Sequence, residues 1–254
     1  MISLVANKGL GDALYQRAIT WHLLEQGTVP IRVFAWWPDA FLDFPNDVEV
    51  MRMELLDKYK VNLRHVAYRL NSPKTTTNQF ATACQSVGLN GHVDLKLNWK
   101  VRNYRLFETV KRRSVGRPIL LYQPLKRPRS IEQHRIRPHD AAFERYLKAH
   151  VQSHFCIRIG HRAYLSEPWS GGEACHMDLV GKTSIPDLFD LALASDQMFC
   201  EPCFIVVLAE AANKPFTCMF AARAKQFDIT SVSRNVTPER IFYKPHLATV
   251  LYDE

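Results

Sequence analysis

The sequence predicts an α/β protein made of two halves, each built on a parallel sheet. Three observations support this prediction. A strand–turn–helix–strand order opens the chain, the same alternation returns in the second half, and 47% of the 254 residues are apolar. That apolar fraction is typical of a globular core, so it excludes a disordered or fibrous chain.

The first elements of the chain follow the pattern of a parallel α/β unit. Residues 2–6 form a short apolar β-prone run, and residues 7–12 form a glycine-rich turn. Apolar residues then recur at helical spacing over 13–26, and a second strand is predicted at 31–35. A glycine-rich turn before a helix lets backbone N–H groups approach an anion or a sugar. A single Gly-x-Gly is not the complete dinucleotide-binding fingerprint.

The second half repeats this alternation and allows a domain division. Apolar patterning fades near residues 105–117, so we expect a first domain over 1–115 and a second over 116–254. Ligands of open α/β sheets bind at the carboxyl ends of the strands, which predicts a cleft between the domains. The predicted elements of the second half are strand 118–122, helix 140–150, strand 154–159, helix 185–194, strand 197–200, helix 205–212 and strand 215–220.

The positive charge of the chain is concentrated in one segment. The formal net charge is +8, and residues 96–137, here called the basic belt, contain 13 Lys and Arg against two acidic residues. The belt predicts a surface for polyanions, and a solvated linker face is the alternative interpretation. No zinc-finger, basic-zipper or RNA-recognition pattern accompanies it.

Several classes of protein are not expected. No apolar run approaches the roughly 20 residues of a membrane-spanning helix, and no secretory signal opens the chain. We therefore expect a cytoplasmic protein whose six cysteines are reduced thiols. Cys200-x-x-Cys203 and Cys175-His176 are separated by a predicted helix, so we expect no metal site.

Three segments resemble the heptosyltransferase-like glycosyltransferases. They are KGLGDAL at residues 8–14, DLVGKTSIPDL at 178–188 and LAEAANKP at 208–215, the last followed by an apolar strand. Their order and spacing agree with the family and span both halves, whereas residues 40–93 match no family motif. The resemblance implies the GT-B fold, in which two Rossmann-like parallel-sheet domains face a cleft. The first would bind the acceptor and the second the nucleotide-sugar.

The resemblance also implies a reaction, the inverting transfer of a sugar from a nucleotide-sugar. No metal and no cofactor beyond this co-substrate are expected. Asp12 matches the family's general base, which takes the proton of the acceptor hydroxyl. Direct displacement at an anomeric carbon needs such a carboxylate, and it needs a cationic or N–H-lined pocket for the departing diphosphate. The alternative role of Asp12 is that of a helix N-cap.

Residues expected to bind the donor come from both halves. Lys126 and Arg127 are expected to balance the charge of the leaving diphosphate, and a solvated turn is their alternative. The turn at Lys182, Thr183 and Ser184 is expected to hold phosphate or ribose oxygens, and ordinary helix capping is its alternative. Gly11 lies in the first glycine-rich turn and completes this set with Glu201.

One loop departs from the family pattern. The family usually has Asp-Ser/Thr-Gly, two further residues and His-Leu before the alanine-rich helix. This chain has Pro202, Phe204 and Val207 at the Asp, Gly and His positions. Glu201, one position earlier, is expected to supply the missing carboxylate, as a ligand of the ribose. A non-enzymatic nucleic-acid-binding module on a degenerate GT-B scaffold is therefore a competing hypothesis.

The acceptor is expected to be polyanionic. Two candidates stay open: DNA that bears a hydroxylated base, as in phage-type DNA glycosyltransferases, and the phosphorylated core of a lipopolysaccharide. The small size of the chain and the lack of an amphipathic membrane-docking helix favour DNA. Trp36 is expected to stack on the acceptor, with core packing as its alternative. The expected polyanion-binding residues are Lys111, Arg112, Arg113 and Arg129.

Overall fold

The chain folds around two parallel sheets, which confirms the predicted α/β class. A computed structural model describes residues 1–59, 62–67, 78–123, 138, 140–160, 175–222 and 238–253. Among these residues, every helix is too short or too polar to span a lipid bilayer.

The first sheet has four parallel strands in the order β3–β2–β1–β4. The central strand β1 is buried from Ser3 to Ala6, which is typical of a parallel strand covered on both faces. The strands are β1 (Ile2–Ala6), β2 (Ile31–Ala35), β3 (Val48–Arg52) and β4 (Leu63–Val66). The accompanying helices are α1 (Leu10–Glu25), α2 (Gln79–Ser86) and the 3₁₀ turns Pro38–Phe41 and Met53–Lys58.

The second sheet has six parallel strands in the order β10–β9–β8–β5–β6–β7. Its strands are β5 (Ile119–Tyr122), β6 (Phe155–Arg158), β7 (Met177–Asp178), β8 (Gln197–Cys200), β9 (Phe216–Phe220) and β10 (Ala248–Tyr252). The remaining helices are α3 (Tyr104–Ser114), α4 (Asp140–His150), α5 (Ile185–Ala194), α6 (Phe204–Ala211), α7 (Pro238–Ile241) and the 3₁₀ turn Pro245–Leu247.

Helix α3 occupies the segment where the sequence pattern faded. Asn103 caps it by accepting a hydrogen bond from Leu106 N at 3.0 Å, and Val115 ends it in the left-handed region with φ of 51°. The helix packs against α5 of the second sheet. The sequence analysis did not predict this helix, because its composition is mostly polar and only Val110 and Ser114 are buried along it.

Helix α1 is the element that lies between the two sheets. Residues 12–20 are all buried, because α1 packs on the first sheet and also against α6. A helix that is covered on all sides loses the polar face of a surface helix. Its position therefore explains why buried polar side chains such as Gln16 and Arg17 occur along it.

Arg17 attaches α1 to residues 97–103, which lead from the first sheet to α3 and are here called the crossing segment. Its guanidinium is fully buried and donates to the carbonyls of Ala40 and Leu97 at 2.7 Å and of Asn98 at 2.9 Å. It also forms a two-pronged ion pair with Asp43, at 2.6 and 2.5 Å. These contacts satisfy the charge that burial would otherwise leave unpaired.

A second buried polar side chain, Asp190, attaches the crossing segment to α5. Asp190 of α5 is fully buried and accepts from Trp99 Nε1 at 2.7 Å and from Asn103 N at 2.6 Å. It also accepts from Arg102 N at 3.2 Å. The crossing segment is thus attached to α1 through Arg17 and to α5 through Asp190.

Glu210 of α6 is a third buried charged side chain. Its Oε1 accepts from Lys244 N at 2.7 Å, while its Oε2 has no hydrogen-bond partner among the described residues. Burial raises the pKa of Glu210 to about 7, although the neighbouring backbone N–H groups and the Lys244 charge oppose this shift. The carboxyl group is therefore partly protonated near neutral pH.

Replacement of Arg17 should strongly destabilise the fold. Arg17→Met leaves Asp43 and three carbonyls without their donor, so we expect the free energy of unfolding to fall by about 3–5 kcal/mol. Urea denaturation measures this change. Arg32→Met is the matched control, because Arg32 pairs with the half-exposed Glu49 at the surface and should cost only about 0–1 kcal/mol. Equal losses in the two variants would contradict the central role of Arg17.

Glu210 should make stability depend on pH. Because its pKa is raised in the folded state, its unfavourable contribution grows as pH rises from 4.5 to about 7. Glu210→Gln removes this titration and should gain about 2 kcal/mol of unfolding free energy relative to wild type between pH 5 and pH 8. Urea denaturation at both pH values tests this, with the exposed Glu54→Gln as control. A difference that is constant with pH would refute it.

Candidate active site

The turn between β1 and α1 places Asp12 in the first turn of the helix. Gly9 is the N-cap residue, with an extended backbone at φ −66° and ψ 146°, and α1 begins at Leu10. The alternative role of Asp12 as the N-cap is therefore wrong, because Asp12 is already helical. Its carboxylate accepts from the backbone N–H of Gly9 instead, as acidic residues of a first helical turn do.

The Asp12 carboxylate is buried and held by Asn7. Asn7 Nδ2 donates to Oδ1 at 3.2 Å, and only 7% of Asp12 is exposed. Burial raises the pKa of Asp12, because it disfavours the charged form. The Asn7 bond, the backbone N–H groups of Asp12 and Gly9, and the charge of His65 lower this pKa in part. A carboxylate of increased basicity is suited to taking a proton.

Gly11 is the point where α1 meets α6 of the second sheet. A Cβ at Gly11 would lie 3.4 Å from Val207 Cγ2 and 3.7 Å from Phe204 Cα, so a larger side chain would separate the helices. Helix α6 follows the carboxyl end of β8, and α1 follows the carboxyl end of β1. The carboxyl edges of the two sheets therefore meet at the Asp12 turn.

Trp36 and Trp37 follow β2 at this same edge. Trp36 is 42% exposed, so the alternative of core packing is wrong for this side chain. Lys8 Nζ lies 5.3 Å from the centroid of the Trp36 ring, and Trp37 Nε1 donates to Lys8 O at 2.7 Å. The structure thus brings Trp36 beside the turn that contains Asp12.

Glu201 lies at the carboxyl edge of the second sheet. It follows β8 directly and is 8% exposed. Two residues further, Cys203 Sγ contacts Gln123 Oε1 at 3.5 Å, and Gln123 directly follows β5. The loop then enters α6 without a side-chain cap hydrogen bond at Cys203. Glu201 therefore belongs to the loop that leads into the helix in contact with Gly11.

The turn at Lys182, Thr183 and Ser184 caps α5. Ser184 Oγ accepts from Asp187 N at 3.2 Å, and Asp187 Oδ2 accepts from Ser184 N at 2.9 Å, which forms a capping box. Lys182 Nζ donates to Asp178 O at 3.1 Å. These contacts match the capping alternative, although Lys182 and Ser184 are exposed.

Three cationic residues of the basic belt lie at the amino edge of the second sheet. Lys111, Arg112 and Arg113, here called the basic triplet, form the exposed last turn of α3, just before the amino end of β5. Arg113 Nη2 donates to the carbonyl of His176, which precedes β7, at 3.4 Å. Because the triplet precedes the amino end of β5, it lies at the edge of the second sheet opposite to Gln123 and Glu201, which follow the carboxyl ends of β5 and β8.

The other predicted cationic residues, Lys126, Arg127 and Arg129, lie outside the described residues. Within the described ranges, no group of three or more His, Cys, Asp or Glu side chains is placed to hold a metal ion. Cys200 and Cys203 lie at the carboxyl edge of the second sheet, whereas His176 lies at its amino edge.

Sequence analysis missed two residues of the Asp12 site. Asn7 directly follows β1 and precedes Asp12 by five residues, so an amide at the carboxyl edge was the available signal. His65 gave no local signal, because its position depends on the pairing of β4 with β1, where it lies opposite Val5.

Solved structures share this architecture. No protein-family model matches the sequence, and no curated protein matches it significantly. A family 9 glycosyl transferase from Veillonella parvula is 9% identical, with a TM-score of 0.63 over 98% of this chain and 85% of that one. The E. coli ADP-heptose LPS heptosyltransferase II is 15% identical, with a TM-score of 0.60 over 99% and 90%.

The chain has the GT-B fold. A third similar structure is the dodecameric iron-containing glycosyltransferase TibC from enterotoxigenic E. coli, which is 13% identical. Its TM-score is 0.59 over 98% of this chain and 61% of that one. In the GT-B arrangement, the meeting of the two carboxyl edges at Asp12 is the cleft that the sequence predicted. The fold thereby places Asp12, Trp36 and Glu201 at the facing carboxyl edges of the two sheets.

Substitution of Gly9 should displace the Asp12 carboxylate without unfolding the protein. The backbone of Gly9 suits any residue, but a Cβ there would overlap with Asp12 Oδ2. A crystal structure of Gly9→Ala should show a rotated Asp12 side chain and a lost Asn7–Asp12 hydrogen bond. Gly91→Ala is the control, since a Cβ at Gly91 meets nothing within 4 Å. An unmoved carboxylate in Gly9→Ala would count against this geometry.

Proposed function

We propose that the chain is a glycosyltransferase that transfers a sugar, with inversion, from a nucleotide-sugar to a hydroxyl group of a polyanionic acceptor. The buried Asp12 carboxylate at the junction of the two carboxyl edges carries this proposal. Asp12 takes the proton of the acceptor hydroxyl as its oxygen bonds to the anomeric carbon. The bond from that carbon to the nucleoside diphosphate breaks, and the diphosphate leaves with its electron pair.

In this proposal, the second sheet supplies most of the donor site. Glu201 accepts hydrogen bonds from ribose hydroxyls, and the turn at Lys182, Thr183 and Ser184 contributes donors to the phosphates. Lys126 and Arg127 balance the charge of the leaving diphosphate, and Gly11 lets α1 approach α6. The name of the E. coli heptosyltransferase, which acts with ADP-heptose, supports a nucleotide-sugar as the class of donor.

The proposed transfer requires no metal ion, because cationic side chains compensate the diphosphate charge. TibC is iron-containing, so the turnover assay needs an arm with a metal chelator. Unchanged turnover in EDTA is the expected result.

As acceptor we propose DNA that bears a hydroxylated base. The exposed basic triplet and Arg129 would bind phosphates, and the exposed Trp36 would stack on a base taken out of the duplex. The phosphorylated core of a lipopolysaccharide is the second candidate. The E. coli neighbour named as an LPS heptosyltransferase favours it.

Asp12→Asn should abolish turnover while donor binding remains. Loss of the base should lower the rate by about 10²–10⁴-fold, because the amide cannot accept the hydroxyl proton. Release of nucleoside diphosphate from ADP-, UDP-, GDP- and dTDP-sugars measures turnover, and thermal shift with the same panel measures binding. Asp39→Asn is the control, an exposed acid of the same domain. A nucleic-acid-binding module would lose no function in Asp12→Asn, and that result would overturn the enzymatic proposal.

Binding to duplex DNA should weaken steeply with salt. Each phosphate neutralised by the protein contributes about 0.9 to the slope of log affinity against log salt concentration. Replacement of the basic triplet by glutamine should therefore reduce the slope by about 2–3. Arg52 and Lys58, which are exposed on the first domain, provide a matched control pair. No measurable DNA binding at low salt would reject DNA as the acceptor and favour lipopolysaccharide.

A further inference from the structure

We infer that Asn7 is a positioning residue, whose amide holds the Asp12 carboxylate through Oδ1 in the orientation that receives the proton of the acceptor hydroxyl. The inference rests on the proposed function of Asp12 as general base. It adds to the general base a second residue that fixes the orientation of its carboxylate.

The two ends of this contact are anchored in rigid elements. Asn7 directly follows β1, whose Val5 and Ala6 are buried and pair with β4. Asp12 lies in the first turn of α1, which is buried along residues 12–20. The 3.2 Å bond from Asn7 Nδ2 to Oδ1 therefore joins a strand end to a helix start across the glycine-rich turn.

The turn distinguishes the two carboxylate oxygens. Oδ1 accepts from the Asn7 amide, while Oδ2 lies next to the position where a Cβ of Gly9 would be. Because Gly9 has no side chain, Oδ2 fits against its backbone, at a position that a Cβ would overlap.

An amide is well suited to this task. It donates a hydrogen bond at every pH and does not exchange its proton with the carboxylate, so it does not compete with the acceptor. Without it, a buried carboxylate oxygen would have no side-chain donor, and its charged form would be disfavoured further. The Asn7 bond already lowers the pKa of Asp12 against the effect of burial.

Three other ionisable side chains, His65, Lys8 and Glu201, lie on elements near Asp12. His65 on β4 lowers the pKa of Asp12 through its charge. Lys8 lies in the same turn but is directed to the Trp36 ring. The surface of α6 that meets Gly11 is formed by Phe204 and Val207, which carry no charge, and Glu201 lies in the loop before that helix. The effect of His65 on the Asp12 carboxylate must therefore be separated from the effect of Asn7.

The first test titrates Asp12 directly. The carboxyl carbon of Asp12 is followed by ¹³C NMR in wild type, Asn7→Ala and Asn7→Asp, all in a His65→Gln background. We expect Asp12 to titrate at higher pH in Asn7→Ala and higher still in Asn7→Asp, where two carboxylates share a proton. Asn46→Ala, at an exposed asparagine, should leave the titration unchanged. An unchanged titration in Asn7→Ala would overturn the inference.

The second test follows the rate. Hydrolysis of ADP-, UDP-, GDP- and dTDP-glucose, with water as acceptor, reports turnover by release of the nucleoside diphosphate. The acidic limb of the kcat/KM profile should move to higher pH in Asn7→Ala, with about a threefold to tenfold loss on that limb. Higher pH should restore part of the rate. A uniform loss at all pH values, with unmoved limbs, would indicate a merely structural role and contradict the inference.

The two proposals fail in different ways. If Asp12→Asn keeps the wild-type rate, the general base is wrong, whatever Asn7 does. Asp12→Asn can instead be inactive while Asn7→Ala retains the wild-type Asp12 titration and the wild-type pH profile of kcat/KM. Asp12 is then supported as the general base, and the positioning role of Asn7 is contradicted.

Discussion

The buried guanidinium of Arg17 is the contact on which the arrangement of the two sheets depends. It satisfies carbonyls of the loop at Ala40 and of the crossing segment at Leu97 and Asn98, and it neutralises Asp43. A guanidinium has five N–H donors in a fixed plane, so it can join these groups only in one relative position. The crossing segment therefore cannot shift along α1 without leaving a buried charge unpaired.

Helix α1, which contains Arg17, also carries the candidate site in its first turn. Asp12 lies in the first turn of α1, and Arg17 follows five residues later on the same rigid helix. Gly11 contacts α6, and the carbonyl of Ala211 at the far end of α6 accepts from Leu97 N at 2.7 Å. A closed path thus runs from Asp12 along α1, through the crossing segment and back along α6. This path fixes how closely the carboxyl edges of the two sheets approach each other at the Asp12 turn.

Local patterns carried most of the fold prediction, and long-range contacts account for what it missed. Strands β1 and β5 and helix α1 could be predicted, because apolar runs and a glycine-rich turn lie together in the sequence. Helix α3 was missed, because its charged turn resembles a linker and its partner α5 lies 70 residues further along the chain. The turn and the strand ends were sufficient to predict that Asp12, Gly11 and Trp36 lie at one edge of the first sheet. Asn7 was not predicted, since only the folded turn brings its amide to the carboxylate.

The position of the basic triplet constrains any acceptor that uses both it and Asp12. The triplet lies before the amino end of β5, and Gln123 follows the carboxyl end of that strand, at the edge where Glu201 lies. A strand rises about 3.3 Å per residue, so the four residues of β5 alone separate the two edges by about 13 Å. A single sugar or phosphate cannot contact both. The triplet can therefore act on the acceptor only if that acceptor is an extended polyanion, whose hydroxyl reaches Asp12 while phosphates further along it reach α3.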